Sequence, residues 1–267
     1  MQDKSDGREF LSKEEAGRVL EPLLIRLGVL PGKTILIHSA FSLLSRHGFL
    51  AEFFLENILA FIGDGTLALP TLSWREVSPD QPVFHEMETR SNVGVLSEIF
   101  RLKFADRRSH HPTHSVAATG PNTDYLLEDH HRDICPCSED SPWGRLANVD
   151  AQILLIGLDM DNCTLIHHLE ETRAPDVYLR KDIEAYTCVG RDGSSIEVRT
   201  RRHRKLYRNF YKFRDILAGL GQLRVSDLGN CRIYGFRAKD LVACVSAEFD
   251  RTIAATIAEP GERSKLM

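Results

Sequence analysis

Thr34-Ile35-Leu36-Ile37-His38 is a short run of β-branched and aliphatic residues, and it reads as a buried strand. A helix follows over Leu50 to Ile62, with Phe53, Phe54, Ile58 and Phe61 turned inward at helical spacing. Gly63-Asp64-Gly65 then turns the chain into a second strand, Thr66 to Pro70. The same alternation runs outward in both directions. Upstream, Ser12-Lys13-Glu14-Glu15 has the form of a capping box stapled by Leu11. It opens a helix that carries Val19, Leu20, Leu23 and Leu27, contains Pro22 and stops near Gly28.

Downstream, a long polar loop covers Ser73 to Arg90, and Ser91 is placed to cap a helix through Phe104. Then come a strand at Val116 to Ala118, a helix over Thr123 to His131, a strand at Ile153 to Ile156 and a helix carrying His167. Beyond Pro175, Ala185 to Val189 and Ser195 to Arg199 flank Arg191-Asp192-Gly193, a hairpin signal. A basic helix from about Arg202 to Leu217, a strand at Asn230 to Phe236 and a helix from Lys239 to Ile257 complete the chain. Strands alternating with helices predict an α/β layered fold, and the hairpin makes its sheet mixed. The expectation is a single domain over residues 1–267, with a smaller lobe around 176–200.

The bulk numbers narrow the function. Of 267 residues, 42% are apolar, enough for a substantial core. A formal charge of −4 argues against a general nucleic-acid binder. Six cysteines in a chain this long do not form a disulfide framework, and Cys135-Pro136-Cys137 is too tight for a zinc knuckle. No apolar run suits a membrane span, and Met1 to Glu9 lacks the apolar centre of a signal peptide. These features predict a cytoplasmic protein.

Two histidine runs carry the chemistry. Arg107-Arg108-Ser109-His110-His111-Pro112-Thr113-His114-Ser115 packs hydroxyls, imidazoles and guanidinium groups around a proline, so it reads as a loop. Thr164-Leu165-Ile166-His167-His168-Leu169-Glu170-Glu171 puts an imidazole and a carboxylate on one helix face, at His167 and Glu170. His168 points about 100° away and reads as a packing residue.

In their order and spacing the motifs resemble the aminoglycoside 3-N-acetyltransferase family, the antibiotic N-acetyltransferases. The resemblance runs from about Thr34 to Glu171. It rests on His38-Ser39-Ala40-Phe41-Ser42, on Gly63-Asp64-Gly65-Thr66-Leu67 leading to Pro70-Thr71, and on Gly94 before Glu98-Ile99-Phe100-Arg101. Arg108-Ser109 before His111-Pro112 continues it, then Ser115 to Gly120, Ser141-Pro142-Trp143-Gly144 and Leu154-Leu155-Ile156-Gly157. Thr164, His167 and Glu170 close the series.

The resemblance implies a layered α/β/α fold with a central mixed sheet, distinct from the common small acetyltransferase fold. It implies acetyl-coenzyme A as co-substrate, an amino sugar as acceptor, direct transfer within a ternary complex and no required metal. Neither nucleic acid nor membrane is an expected partner, and a homodimer is compatible with the reading.

Acetyl transfer to an amine needs a base, donors for the developing oxyanion and a means of holding both substrates. On the resemblance, His167 is the base. Glu170 either orients its imidazole or catches the acceptor amine, and His111 lines the same pocket. The loop after the first strand, with His38, Ser39, Phe41 and Ser42, is expected to contact coenzyme A together with Thr71, Ser109 and Ser115. Ser39 or Ser42 could equally serve as a helix cap. Arg107 and Arg108 are candidates for the coenzyme's phosphates. Asp80, Glu86, Glu88, Asp140, Asp159 and Asp161 are candidates for a polycationic acceptor, with His85 standing where related sequences often place an acid.

Three rival chemistries compete. The histidine supply could hold a hydrolytic metal, although Pro112 forbids a helical pair from His110 and His114. The basic run Arg201 to Arg208 could bind nucleic acid, but Leu206, Phe210, Phe213 and Leu217 read as the core face of an amphipathic helix. Cys163 could form an acyl-enzyme with His167 close by.

Overall fold

In the computed structural model, residues 10–267 are described. The reading of Met1 to Glu9 lies outside the described residues. In chain order the elements are α1 (Lys13–Arg26), β1 (Thr34–Ser39), α2 (Ser42–Ser45), α3 (Ala51–Ile62), β2 (Thr66–Pro70), β3 (Val83–His85), α4 (Val95–Lys103), β4 (Arg107–Arg108), β5 (Val116–Thr119), α5 (Thr123–Leu127) and α6 (Pro142–Asn148). They continue with β6 (Gln152–Ile156), α7 (Leu165–Arg173), α8 (Pro175–Tyr178), β7 (Glu184–Val189), β8 (Ser195–Thr200), β9 (Tyr207–Arg208), α9 (Tyr211–Gly219), β10 (Arg224–Leu228), β11 (Cys231–Arg237), α10 (Ala238–Phe249) and β12 (Lys265–Leu266).

Seven strands form a mixed sheet in the order β10-β11-β6-β1-β2-β5-β4. β1 lies parallel to both β6 and β2, whereas β11, β5 and β4 join antiparallel to their neighbours. Because a strand alternates its side chains, β1 feeds two cores. Ile35 and Ile37 pack with Leu20, Phe54, Ile58 and Phe100 of α1, α3 and α4. Leu36 packs on the opposite face with Trp143, Leu165, Phe213 and Leu241 of α6, α7, α9 and α10. The result is the layered α/β/α arrangement with a central mixed sheet. No helix among the described residues is long and apolar enough to cross a membrane.

Local chemistry fixes the entry to the fold. Ser12 caps α1 as expected, its hydroxyl accepting from the Glu15 N–H while the Glu15 carboxylate accepts from the Ser12 N–H. Gly120, at φ +114°, ends β5 so close to its neighbour that an added Cβ would lie 2.3 Å from the Gly65 carbonyl oxygen.

Several sequence expectations are corrected. The helix forecast from Ser91 begins only at Val95, because Gly94 at φ +116° breaks the helical path, and the Ser91 N–H donates to Glu98 instead. The helix forecast over Thr123 to His131 stops at Leu127, where Glu128 is extended and Asp129 is left-handed; a short 3-10 turn over His130–Arg132 follows. Phe53 and Phe61 are only half-buried, while Leu55 and Ile62 are buried beside Phe54 and Ile58. The C-terminal helix ends at Phe249, and β10 went unforeseen.

The largest correction concerns the basic helix. Only Tyr211–Gly219 is helical. Residues 202–209 form no helix, because their backbone pairs with distant segments: Arg204 N–H with Tyr178, Leu206 N–H with Met267, and Asn209 N–H with Thr256. Tertiary pairing overrides the helical periodicity.

The hairpin β7–β8 forms with β7 at the centre of a separate three-stranded sheet, β3-β7-β8. Phe84, Tyr186, Cys188 and Val198 give that sheet a small core of its own. Its third strand comes from the loop forecast as irregular, and Tyr178, at the start of the forecast lobe, belongs to the main core.

Candidate active site

α7 follows β6, one of the three mutually parallel strands, and so starts at the edge where their carboxyl ends open. There the expected pair forms. His167 Nδ1 lies 2.6 Å from Glu170 Oε2. Glu170 is completely buried, while the His167 side chain retains 13% exposure. Two groups from outside the helix hold the carboxylate's other oxygen: Arg208 Nε donates to Oε1 at 2.8 Å, and the Thr256 hydroxyl donates to the same atom.

Burial alone would push the Glu170 carboxyl up, but the His167 imidazole and the Arg208 guanidinium outweigh it and hold it below the usual carboxylate range. An ionised Glu170 must accept its hydrogen bond, so Nδ1 of His167 carries the proton. Nε2 is then the nitrogen that bears the lone pair in the neutral form of the ring, and among the described residues it has no protein partner and is not sealed from solvent. The arrangement can accept a proton at Nε2 and stabilise the imidazolium that forms.

Beside it stands a second imidazole–carboxylate pair. His203 Nε2 lies 2.7 Å from Glu171 Oε1, and the Cys137 N–H donates to Glu171 Oε2. Burial pushes the Glu171 carboxyl well up and the His203 imidazole well down, favouring a neutral imidazole beside a protonated carboxyl. The His203 ring packs 4.4 Å from that of His167 and 4.9 Å from that of His114, and a further stack joins His111 to His130 at 4.5 Å. His168 turns away as expected and bonds the Cys137 carbonyl.

Sequence reasoning missed His203, Arg208 and Thr256. Its only signal for the first two was the basic run itself, which it assigned to the outer face of a helix. Arg208 is instead fully buried.

Other expected residues are already engaged within the protein. His111 was placed with the catalytic groups, yet it is fully buried with both nitrogens engaged. Nδ1 accepts from the Thr113 and His114 N–H groups, and Nε2 faces the Thr200 hydroxyl. Thr71, Ser109 and Ser115 were placed against the coenzyme, yet all are sealed from solvent with their hydroxyls occupied. Ser115 donates to the Thr71 carbonyl, Arg108 Nε reaches both the Thr71 and Ser115 hydroxyls, and Ser109 Oγ accepts from the Val116 N–H and bonds His130. Arg108 is itself buried against the Glu86, Thr89 and Thr71 carbonyls. Arg107 is exposed and pairs with Asp124. Phe41 is a core residue packed edge-on against Phe54.

Three expected donor-site residues keep chemistry to spare. His38 Nε2 and Ser39 Oγ are buried without any partner, and Ser42 is exposed at the start of α2. Burial pushes His38 down to about 3, so its imidazole is neutral. Its ring stacks 6.2 Å from Trp143, whose indole N–H donates to the His114 carbonyl, which links this loop to the histidine row. Gly94 lies against the Ser39 carbonyl and begins α4 without a side-chain cap.

The acidic candidates are largely neutralised. Glu86 pairs with His110 and Arg191, Asp159 with Arg214 and Arg263, and Asp161 with Lys265. Asp80, Glu88 and Asp140 remain exposed. Cys163 is buried and its thiol pushed up to about 12, which removes it as a nucleophile near neutral pH. A cavity of about 430 Å³ lies near Lys33, Gln152 and Arg224, around the amino-terminal ends of β1, β6 and β10, and contains none of these groups.

A solvent-reaching imidazole locked by a buried carboxylate, at the carboxyl edge of a mixed α/β/α sheet, defines the class: a layered α/β protein with a paired imidazole and carboxylate at its sheet edge. The chain belongs to the aminoglycoside 3-N-acetyltransferase family, whose model it matches over residues 36–250. It is 31% identical over 178 residues to aminoglycoside N(3)-acetyltransferase IV from Salmonella, an alignment covering 66% of this chain and 64% of the relative. The chain thus spans just under two thirds of that relative's length. Among solved structures it superimposes on the AAC(3)-IVa apoenzyme with a TM-score of 0.77 at 24% identity, over 96% of this chain and 95% of the other. On AAC-IIIb, solved as a binary complex with CoASH, the TM-score is 0.73 at 20% identity, over 95% and 100%. These likenesses show the shared fold.

Proposed function

We propose that the chain transfers an acetyl group from acetyl-coenzyme A to an amino group of an aminoglycoside or related amino sugar, by direct attack within a ternary complex. His167 Nε2 takes the proton from the attacking amine. Glu170 fixes the imidazole's tautomer and stabilises its charged form, and does not itself titrate. The observation that carries the reading is the 2.6 Å bond from His167 Nδ1 to a carboxylate that is buried, ionised and clamped by Arg208. A solvated surface pair would have no such clamp.

The family name supports the reaction class, and the binary complex of AAC-IIIb with CoASH supports the donor. We place the donor's amide arm along His38, Ser39 and Ser42, where two buried polar atoms lack partners. The uncapped N–H groups at the start of α4 lie beside Ser39 and suit an acceptor oxygen of that arm. An acyltransferase of this kind needs no resident metal. Six free cysteines suit a reducing, cytoplasmic setting, and residues 1–267 serve as one domain with the β3-β7-β8 sheet as its appendage.

The acceptor remains the broader part of the proposal. The exposed acids Asp80, Glu88 and Asp140 are fewer than a polycationic drug would call for, so amino sugars of polysaccharide or biosynthetic origin stand beside the antibiotics. Thiol release from acetyl-coenzyme A, measured with aminoglycosides and with nucleotide amino sugars, tests both. Release with one class assigns the acceptor, and no release with any amine contradicts the reaction.

A further inference from the structure

The histidine row ends in an arrangement that proton transfer does not use. One ring nitrogen each of His114 and His203 and the Sγ of Cys137 lie within 4.8 Å of one another. Each imidazole is already held from one side: the Thr113 hydroxyl bonds His114 Nδ1 at 2.8 Å, and Glu171 bonds His203 Nε2 at 2.7 Å. Among the described residues the opposite nitrogen of each ring has no protein partner. An imidazole steadied by a hydroxyl or carboxylate on one nitrogen, with the other left free, is the usual form of a metal-ligating histidine. Two imidazoles and one thiolate match the ligand preference of zinc, with a fourth position left for water or a substrate group. The three residues come from three separate segments, so their convergence is a product of the fold and not of a sequence motif.

We propose that His114, Cys137 and His203 form an inhibitory site for a borderline-soft divalent cation such as Zn²⁺. Binding forms a Zn–S bond as the Cys137 thiol loses its proton to solvent, and a bond to His203 Nδ1 as the Glu171–His203 pair loses a second proton, which leaves His203 Nε2–H donating to the Glu171 carboxylate; one nitrogen of His114 completes the set. The metal then sits one ring away from His167, since the His203 and His167 rings are 4.4 Å apart. A metal there, with its fourth position filled, stands against the ring whose outer nitrogen the attacking amine must reach, so bound metal suppresses acetyl transfer. That effect rests on the function proposed above; metal binding itself does not.

The test uses the full chain. Equilibrium dialysis should show one Zn²⁺ bound per chain, and Co²⁺ should give a thiolate charge-transfer band in the near ultraviolet. Zn²⁺ should inhibit thiol release, and a chelator should restore it. Cys137→Ser should lose the cobalt band and weaken Zn²⁺ binding by more than the ~10- to 100-fold that changes around the ligands alone cost. It should keep the metal-free turnover while no longer being inhibited. His114→Gln, checked for fold by circular dichroism, gives the same readout from a second segment. No cobalt band in the native chain, or a band that survives in both variants, overturns the site. Undiminished turnover with Zn²⁺ bound overturns its inhibitory role. A native chain with no acetyl transfer at all would contradict the proposed function, while the cobalt band would still report the site.

Discussion

Arg208 carries a larger share of the site than its place in a basic run suggests. Its guanidinium is fully buried, donates to Glu170 Oε1 and to the Met267 carbonyl, and lies over the Tyr178 ring. A surface ion pair contributes little, but removing one partner of a buried pair leaves an unpaired charge in a low dielectric. Arg208→Met should therefore destabilise the chain by about 3–5 kcal/mol in urea unfolding. The same change removes a cation that keeps the Glu170 carboxyl low, so the variant should also lose turnover. A loss below about 1 kcal/mol would place the pair in the exposed class. The i,i+3 spacing of His167 and Glu170 was legible in the sequence, because it is a property of one helix. The clamp on Glu170 was not, because Arg208 and Thr256 arrive from segments 38 and 86 residues away.

At the scale of elements, the reading succeeded where burial and period agree. β1, β2, β6 and the hairpin β7–β8 fall where alternation and turn residues place them, and α1 starts at its capping box. It failed where a backbone partner outside the window decides the conformation. Residues 202–209 fall within the helical spacing of Leu206, Phe210 and Phe213 and yet form no helix, with N–H groups bonded to Tyr178, Met267 and Thr256. The turn after β5 shows the opposite situation, in which one residue type is compulsory. Gly120 combines φ +114° with a Cβ position 2.3 Å from the Gly65 carbonyl oxygen and 2.9 Å from Thr66 Cα. Backbone cannot yield as a side-chain tip can, so Gly120→Ala should cost well over ~1 kcal/mol and lower the melting temperature measurably. An unchanged melting temperature would mean that this junction is looser than it stands.

For the whole molecule, the buried imidazoles set the response to acid. Burial pushes His38 and His130 down to about 3, and it holds His111, His114 and His203 well below their ordinary value. In the unfolded chain each would bind a proton near pH 6.5, which the folded chain refuses. Their contribution to stability is thus complete above about pH 6.5 and is lost progressively as pH falls below it. Glu171, pushed up by burial, acts in the opposite direction but is one group against five. Glu170, held low, adds a further loss only in the carboxylate range. Melting temperatures should therefore fall steeply between pH 6.5 and 5, before the carboxylates in the ordinary range begin to titrate. A flat profile over that interval would show that these histidines are solvated. Their number was legible in the sequence; that the fold stacks His130, His111, His114 and His203 into one row was not, since the contacts join residues as far apart as His114 and His203.

The central claim is that His167 Nε2 removes the amine's proton, and His167→Ala tests it most directly. Thiol release from acetyl-coenzyme A should be followed at saturating acceptor, with coenzyme A binding measured on the same preparation by calorimetry. The account predicts a fall in turnover of about 10²- to 10⁴-fold with coenzyme A affinity nearly unchanged. Turnover close to that of the native chain, with an intact fold, would contradict it.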